Sequence, residues 1–159
     1  IVGVPKYLPA VAGLLMEREI EYLGGITEHP QHPFGLVLGG VKVADKIAIL
    51  EIKAARLGDP AQRSNVKSEL ESLVAARDAA LPPSADLTEL SRELKQVNER
   101  LWRIGDDIRD RERAKDFGDT FVELARAVYV NNDKRSKLKR EINELLGSSL
   151  IEEKSYAAY

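Results

Sequence analysis

Leu87, Leu90, Leu94, Val97, Leu101, Ile104 and Ile108 follow one another at alternating steps of three and four without a miss. That spacing gathers them on one stripe of an α-helix and on no face of a strand, an a/d seam sustained over three heptads. A helix with such a stripe must bury it against something of matching pattern, and the chain supplies a match. Beyond Phe117-Gly118-Asp119 the spacing resumes with Phe121, Leu124 and Val128, passes through Asn131 and Arg135, and continues with Leu138, Ile142 and Leu145 up to Gly147. Two long seams joined by a short turn predict an antiparallel helical hairpin.

Two more helices are expected upstream. Ile47, Leu50, Ala54 and Leu57 step by three, four and three, with Ile49 and Ile52 widening the apolar face. They predict a helix from Val43 to Leu57, stopped by Gly58-Asp59-Pro60. A second runs from Ala61 to Leu81 with Val66, Leu70, Leu73 and Arg77 on its seam; Pro82-Pro83-Ser84 breaks it, and Ser84 or Asp86 caps the next.

The first 33 residues read differently. Pro5 and Pro9 open them, a helix of moderate quality covers Ala10 to Leu23, and Gly24-Gly25 ends it. His29-Pro30 and His32-Pro33 make a loop, since each proline pushes its predecessor out of the helical region. Phe34 to Leu38 is a short apolar run between Pro33 and Gly39, a candidate buried strand. The fold class expected is mainly α, an antiparallel hairpin or bundle with a short N-terminal helix–strand fragment. Residues 148–159 are expected to be a tail that packs only in part.

Composition narrows the function. Basic and acidic residues nearly cancel, 24 against 26, for a net charge of −2. This balance offers no footprint for nucleic acid or for an anionic membrane surface. With no cysteine there is no disulfide, thiol nucleophile or thiolate metal site, and two histidines are too few for most imidazole chemistry. No apolar run approaches the ~20 residues needed to span a bilayer. No basic-then-apolar leader is present, so a cytoplasmic location is the expectation.

One stretch invites a ligand. Gly39-Gly40 follows the candidate strand and precedes a helix, so the backbone can approach a ligand closely and unpaired N–H groups face it. Lys42 and Lys46, four apart, project from one side of the first turn and suit a polyphosphate. A solvated helix start explains the same residues, and both readings stand on the residues alone.

A resemblance adds to the first reading. Val4-Pro5-Lys6-Tyr7-Leu8-Pro9-Ala10-Val11-Ala12-Gly13-Leu14-Leu15-Met16-Glu17-Arg18-Glu19-Ile20 resembles the run leading into the interdomain helix of the phosphoglycerate kinase family. Pro33-Phe34 through Ile47 resembles the first strand and nucleotide-side loop of that family's C-terminal domain, in the same order and spacing. The resemblance implies that Lys42 and Lys46 contact nucleotide and transferred phosphate, that Gly39 and Gly40 line the same site, and that Mg-bound ATP or ADP is the cofactor. Val41 and Ala44 depart slightly from the pattern. The family's phosphoglycerate site, its magnesium-nucleotide aspartate and its glycine-rich phosphate loop have no counterpart in this chain. Catalysis is therefore not expected, because phosphoryl transfer needs several charged parts acting together.

From about Asp45 the chain resembles a bacterial helical domain family of unknown function, through Ala44-Asp45-Lys46-Ile47-Ala48-Ile49-Leu50-Glu51-Ile52-Lys53, Leu101-Trp102-Arg103-Ile104, Asn132-Asp133-Lys134-Arg135 and Glu152-Glu153-Lys154-Ser155-Tyr156. Asp-Lys-Ile is common to both families, a natural crossover for a chimera. The expected division is a kinase-like helix and strand fragment over residues 1–43 and a helical bundle domain over 44–159.

Other polar features are weighed against plain structure. Asn131 and Arg135 interrupt an apolar seam, either as a polar pocket or as a register device fixing helix pairing. Asp106 and Asp110 sit four apart, but the surrounding arginines suit a self-paired surface better than a metal. Trp102, one residue off the seam, seals a helix edge, and His29 and His32 sit in a proline loop. No catalytic or metal-binding residue is expected. A homo-oligomer formed through the helix seams is the expected partner state, with no nucleic acid or membrane.

Overall fold

The computed structural model describes residues 40–147, and the expected helix over Ala10–Leu23, the strand at Phe34–Leu38 and the tail from Ser148 lie outside them. Within that range the fold is mainly α: four helices and, among the described residues, no strand. They are α1 (Gly40–Arg56), α2 (Pro60–Ala80), α3 (Ala85–Ala114) and α4 (Asp119–Leu145).

Local chemistry sets the boundaries. Helix α1 begins three residues earlier than the apolar pattern suggested and runs across the expected division at 43/44. Its end is held from the next helix: Arg63 Nε and Nη2 donate to the Leu57 carbonyl at 3.0 and 2.5 Å. Asp59, which the pattern marked only as a stop, is the N-cap of α2. Its carboxylate accepts from the Ala61 and Gln62 amides at 2.8 and 3.4 Å, with Pro60 in the first helical position. Ser84, rather than Asp86, caps α3, its hydroxyl accepting from the Leu87 amide at 3.2 Å. Lys115 ends α3 in a left-handed conformation, φ 55°, and its N–H reaches the Arg111 and Glu112 carbonyls.

Helices α3 and α4 form the hairpin. Leu94, Val97, Leu101, Ile104 and Ile108 meet Phe121, Val128, Leu138 and Ile142 in one buried cluster, with Leu87, Leu90 and Leu124 partly buried beside it. Leu94 and Ile142 have no exposed surface at all. One seam position differs from expectation: Leu145 is exposed, and Leu146 packs on the cluster instead. The helix is ending there, so the last turn no longer keeps the seam's register.

Helix α1 lies across this hairpin and packs on all three other helices. Its buried residues cover most of its circumference, Val41, Val43, Ala44, Ile47, Ala48, Ile49, Leu50 and Ile52 among them. A helix buried on so many sides lies in the interior of the bundle, with its charged residues Glu51, Lys53 and Arg56 toward the outside. Helix α2 is the opposite case. It packs principally along α1, and none of its residues is buried. The expected seam of Val66, Leu70, Leu73 and Arg77 is half-buried, covered from one side only. No helix among the described residues is long and apolar enough to cross a membrane.

Candidate functional site

The features singled out in the sequence converge on α1. At its start, Gly40 is buried, and a Cβ built there would stand 2.5 Å from Leu146 Cδ1. The space that a glycine opens beside the backbone is thus taken by a leucine from the end of α4. Gly39 lies outside the described residues. Lys42 is half-buried and has an interaction of its own. Lys46 is turned toward α2: its Nζ is 2.5 Å from Glu69 Oε1, with the lysine side chain 12% exposed. A carboxylate at that distance neutralises the ammonium a polyphosphate would need.

Between the two lysines in sequence, three residues after Lys42 and one before Lys46, lies a residue that sequence reasoning passed over. Asp45 is 2% exposed and anchors a buried polar cluster shared by three helices. Its Oδ1 accepts from Asn98 Nδ2 at 2.9 Å, and its Oδ2 accepts from Arg135 Nη2 at 2.6 Å. Lys139 Nζ stands 3.8 Å from the same Oδ2. Asn98 has no exposed surface, and its Oδ1 has no hydrogen-bond partner. The cluster therefore brings the Arg135 and Lys139 cations to one buried carboxylate. Burying charge is costly unless it is paired and hydrogen-bonded, so this arrangement holds only while α1, α3 and α4 keep their register.

Arg135 thus interrupts the α4 seam because it reaches α1. Asn131, the other interruption, donates from Nδ2 to the Ala127 carbonyl at 2.7 Å, while its Oδ1 accepts from Arg100 Nη1 at 3.4 Å across the hairpin. Arg135 thereby links α4 to α1, and Asn131 links α4 to α3. Asn98 could have been noticed as an amide next to the seam residues Val97 and Leu101. Asp45 could have been noticed as an acid set among Val41, Val43, Ala44 and Ile47. Their pairing across 53 residues leaves no trace in spacing.

The acid–base run resolves into surface pairs. Asp106 binds Arg109 at 3.0 Å and Asp110 binds Arg113. Among the described residues no group of three or more histidine or acidic side chains could hold a metal ion. Trp102 is half-buried on α3.

Comparison with known proteins bears on the first part of the chain. The family model for phosphoglycerate kinase matches residues 1–58, about eleven residues further than the resemblance noted in the sequence and as far as the turn after α1. The phosphoglycerate kinases of Coprothermobacter proteolyticus and Chloroflexus aurantiacus are each 57% identical over 49 residues, covering 31% of this chain and 12% of theirs. That of Borrelia duttonii is 59% identical over 49 residues, with the same shares. The chain therefore spans about an eighth of the length of the curated relatives it matches. No solved structure matches it. The stretch that is similar to phosphoglycerate kinase includes the whole of α1, so the helix at the centre of the described bundle is the kinase-like one.

Proposed function

We propose that this chain is a non-catalytic helical interaction module that self-associates, with its kinase-like segment serving as a packing element rather than a nucleotide site. The segment reads as one side of a chimera whose other side is the helical domain beginning near Asp45. One observation carries the packing half of the proposal: Lys46, one of the two lysines that the resemblance assigns to phosphate, is paired with Glu69 of α2. Two neighbours support it. Leu146 fills the approach to Gly40, and Asp45, one residue before Lys46, is committed to Arg135 and Asn98. Phosphoryl transfer by a complete kinase assembles several charged groups around its nucleotide, and an eighth of such a protein does not supply them.

A second reading rests on the family match, which includes Lys42 and Lys46: residual binding of Mg-bound ATP or ADP phosphates at Gly39, Gly40, Lys42 and Lys46. A thermal melt with and without millimolar Mg·ADP separates the two. The packing reading expects the same midpoint in both. A ligand that binds only the folded state adds about 2.7 kcal/mol at a hundredfold excess over its dissociation constant. A rise of that kind, lost in a Lys42→Ala/Lys46→Ala variant, would overturn the packing reading in favour of the phosphate site.

A further inference from the structure

Helix α2 has no acid in its first turn, and its last turn sets Asp78 beside Arg77. Its first eight residues hold Arg63 and Lys67 and no acid, and the rest holds Glu69, Glu71 and Asp78 against Arg77. Cations near the N-terminus and anions near the C-terminus both oppose the helix dipole. The Asp59 cap relieves the first end only in part. Asp78 pairs with its neighbour Arg77 at 2.8 Å, but its side chain is 61% exposed, and such surface pairs contribute little.

The same helix has an unfinished face. At about 100° per residue, Lys67, Leu70, Val74 and Asp78 share one side of α2, with Lys67 and Asp78 three turns apart and about 16 Å along the axis. Leu70 and Val74 are half-buried, and Lys67 and Asp78 are exposed. Read along the helix the stripe is basic, apolar, apolar, acidic, with exposed Glu71 along its edge. Laid antiparallel on itself it matches: Lys67 of one copy meets Asp78 of the other, and Leu70 meets Val74. A two-fold interface must be self-complementary in this sense. The antiparallel partner also sets each helix end against the opposite end of its neighbour, so dipoles and side-chain charges are compensated together.

We propose that the face of α2 bearing Lys67, Leu70, Val74 and Asp78 docks against the same face of a second copy of this chain, antiparallel about a two-fold axis. The proposal rests on the self-association reading and specifies where that association occurs. Sedimentation equilibrium of the full chain over a range of concentrations tests it, with Lys67→Glu, Asp78→Lys and the double variant beside the unmodified protein. Both positions are exposed, so helix content by circular dichroism should be unchanged in all four. A dimer is expected, weakened about tenfold by each single reversal, which corresponds to about 1.4 kcal/mol, and restored in the double variant. The two positions lie too far apart to contact within one helix, so restoration reports a contact between copies. A dimer indifferent to the single reversals, or weakened by them and not restored, overturns this face while leaving self-association standing. A monomer at every concentration overturns both.

Discussion

Arg135 Nη2 donates to Asp45 Oδ2 at 2.6 Å, joining α4 to α1 across 90 residues of chain, and both side chains are more than nine-tenths buried. Two other donors crowd the same carboxylate, Asn98 on its second oxygen and Lys139 at 3.8 Å. Such a pair specifies an arrangement more than it strengthens one, because removing its charges from water costs much of what their attraction returns.

Breaking it from one side should therefore be severe. Asp45→Asn removes the buried carboxylate that Arg135 and Lys139 share, and urea unfolding is expected to show a loss of about 3–5 kcal/mol. Asp45→Leu combined with Arg135→Met and Lys139→Met, which removes all three charges, should recover much of that. A single-variant loss below about 1 kcal/mol would show that solvent reaches the pair.

The contrast between α3 and α2 predicts unequal core substitutions. Leu94 has no exposed surface, so Leu94→Ala should cost about 2–5 kcal/mol, whereas Leu73→Ala on half-buried α2 should cost under half as much. Chemical denaturation of the two variants measures the ratio. Equal losses would mean that α2 is covered as fully as α3 in solution.

Gly105 lies inside α3 with room beside it. A Cβ there would meet only Arg109 Nη1, at 3.6 Å, an ordinary contact. Gly105→Ala is expected to stabilise the fold by about 0.5–1 kcal/mol by restricting the unfolded chain, seen as a raised thermal midpoint. A lowered midpoint would reveal that the contact is tighter than it stands.

The turn of the hairpin carries an acid-sensitive group. Asp116 is held below the usual aspartate range, first by its bond from Arg111 at 2.7 Å and then by the Gly118 amide at 3.3 Å. A carboxyl depressed in the folded state contributes stability that is present above its unfolded value, about 3.9, and is lost as the pH falls through its folded value. NMR titration should place Asp116 below the aspartate of an unstructured peptide, about 3.9. An Asp116→Asn variant should lose less stability than the unmodified protein between pH 5 and the acid end, as the scale of about one such group predicts.

The hairpin was legible because a three–four repeat has one structural meaning, and Leu94 through Ile108 land in the core as their spacing requires. Arg135 and Asn131 were legible as interruptions. What they answer to was not, since Asp45 and Asn98 are partners only in space. Val66, Leu70 and Leu73 repeat as faithfully as a core seam yet stay half-buried, because periodicity states which side is apolar and not how many neighbours will cover it. Lys42 and Lys46 lie on one helix turn as expected, but spacing within that turn could not disclose that Glu69 stands opposite Lys46.

The central place of α1 has a consequence in time. The α3–α4 hairpin closes through a turn of four residues, Lys115 to Gly118, whereas α1 is tied to it across 53 and 90 residues. Closing a longer loop costs more conformational entropy before any contact rewards it. Folding is thus expected to begin in the hairpin, with α1 arriving on a surface already formed. Substitutions at Leu101 and Val128 should slow folding, while Ile47→Val, in α1, should mainly speed unfolding. The helix that resembles an enzyme's nucleotide side would then join the hairpin after it has formed and leave it before it opens.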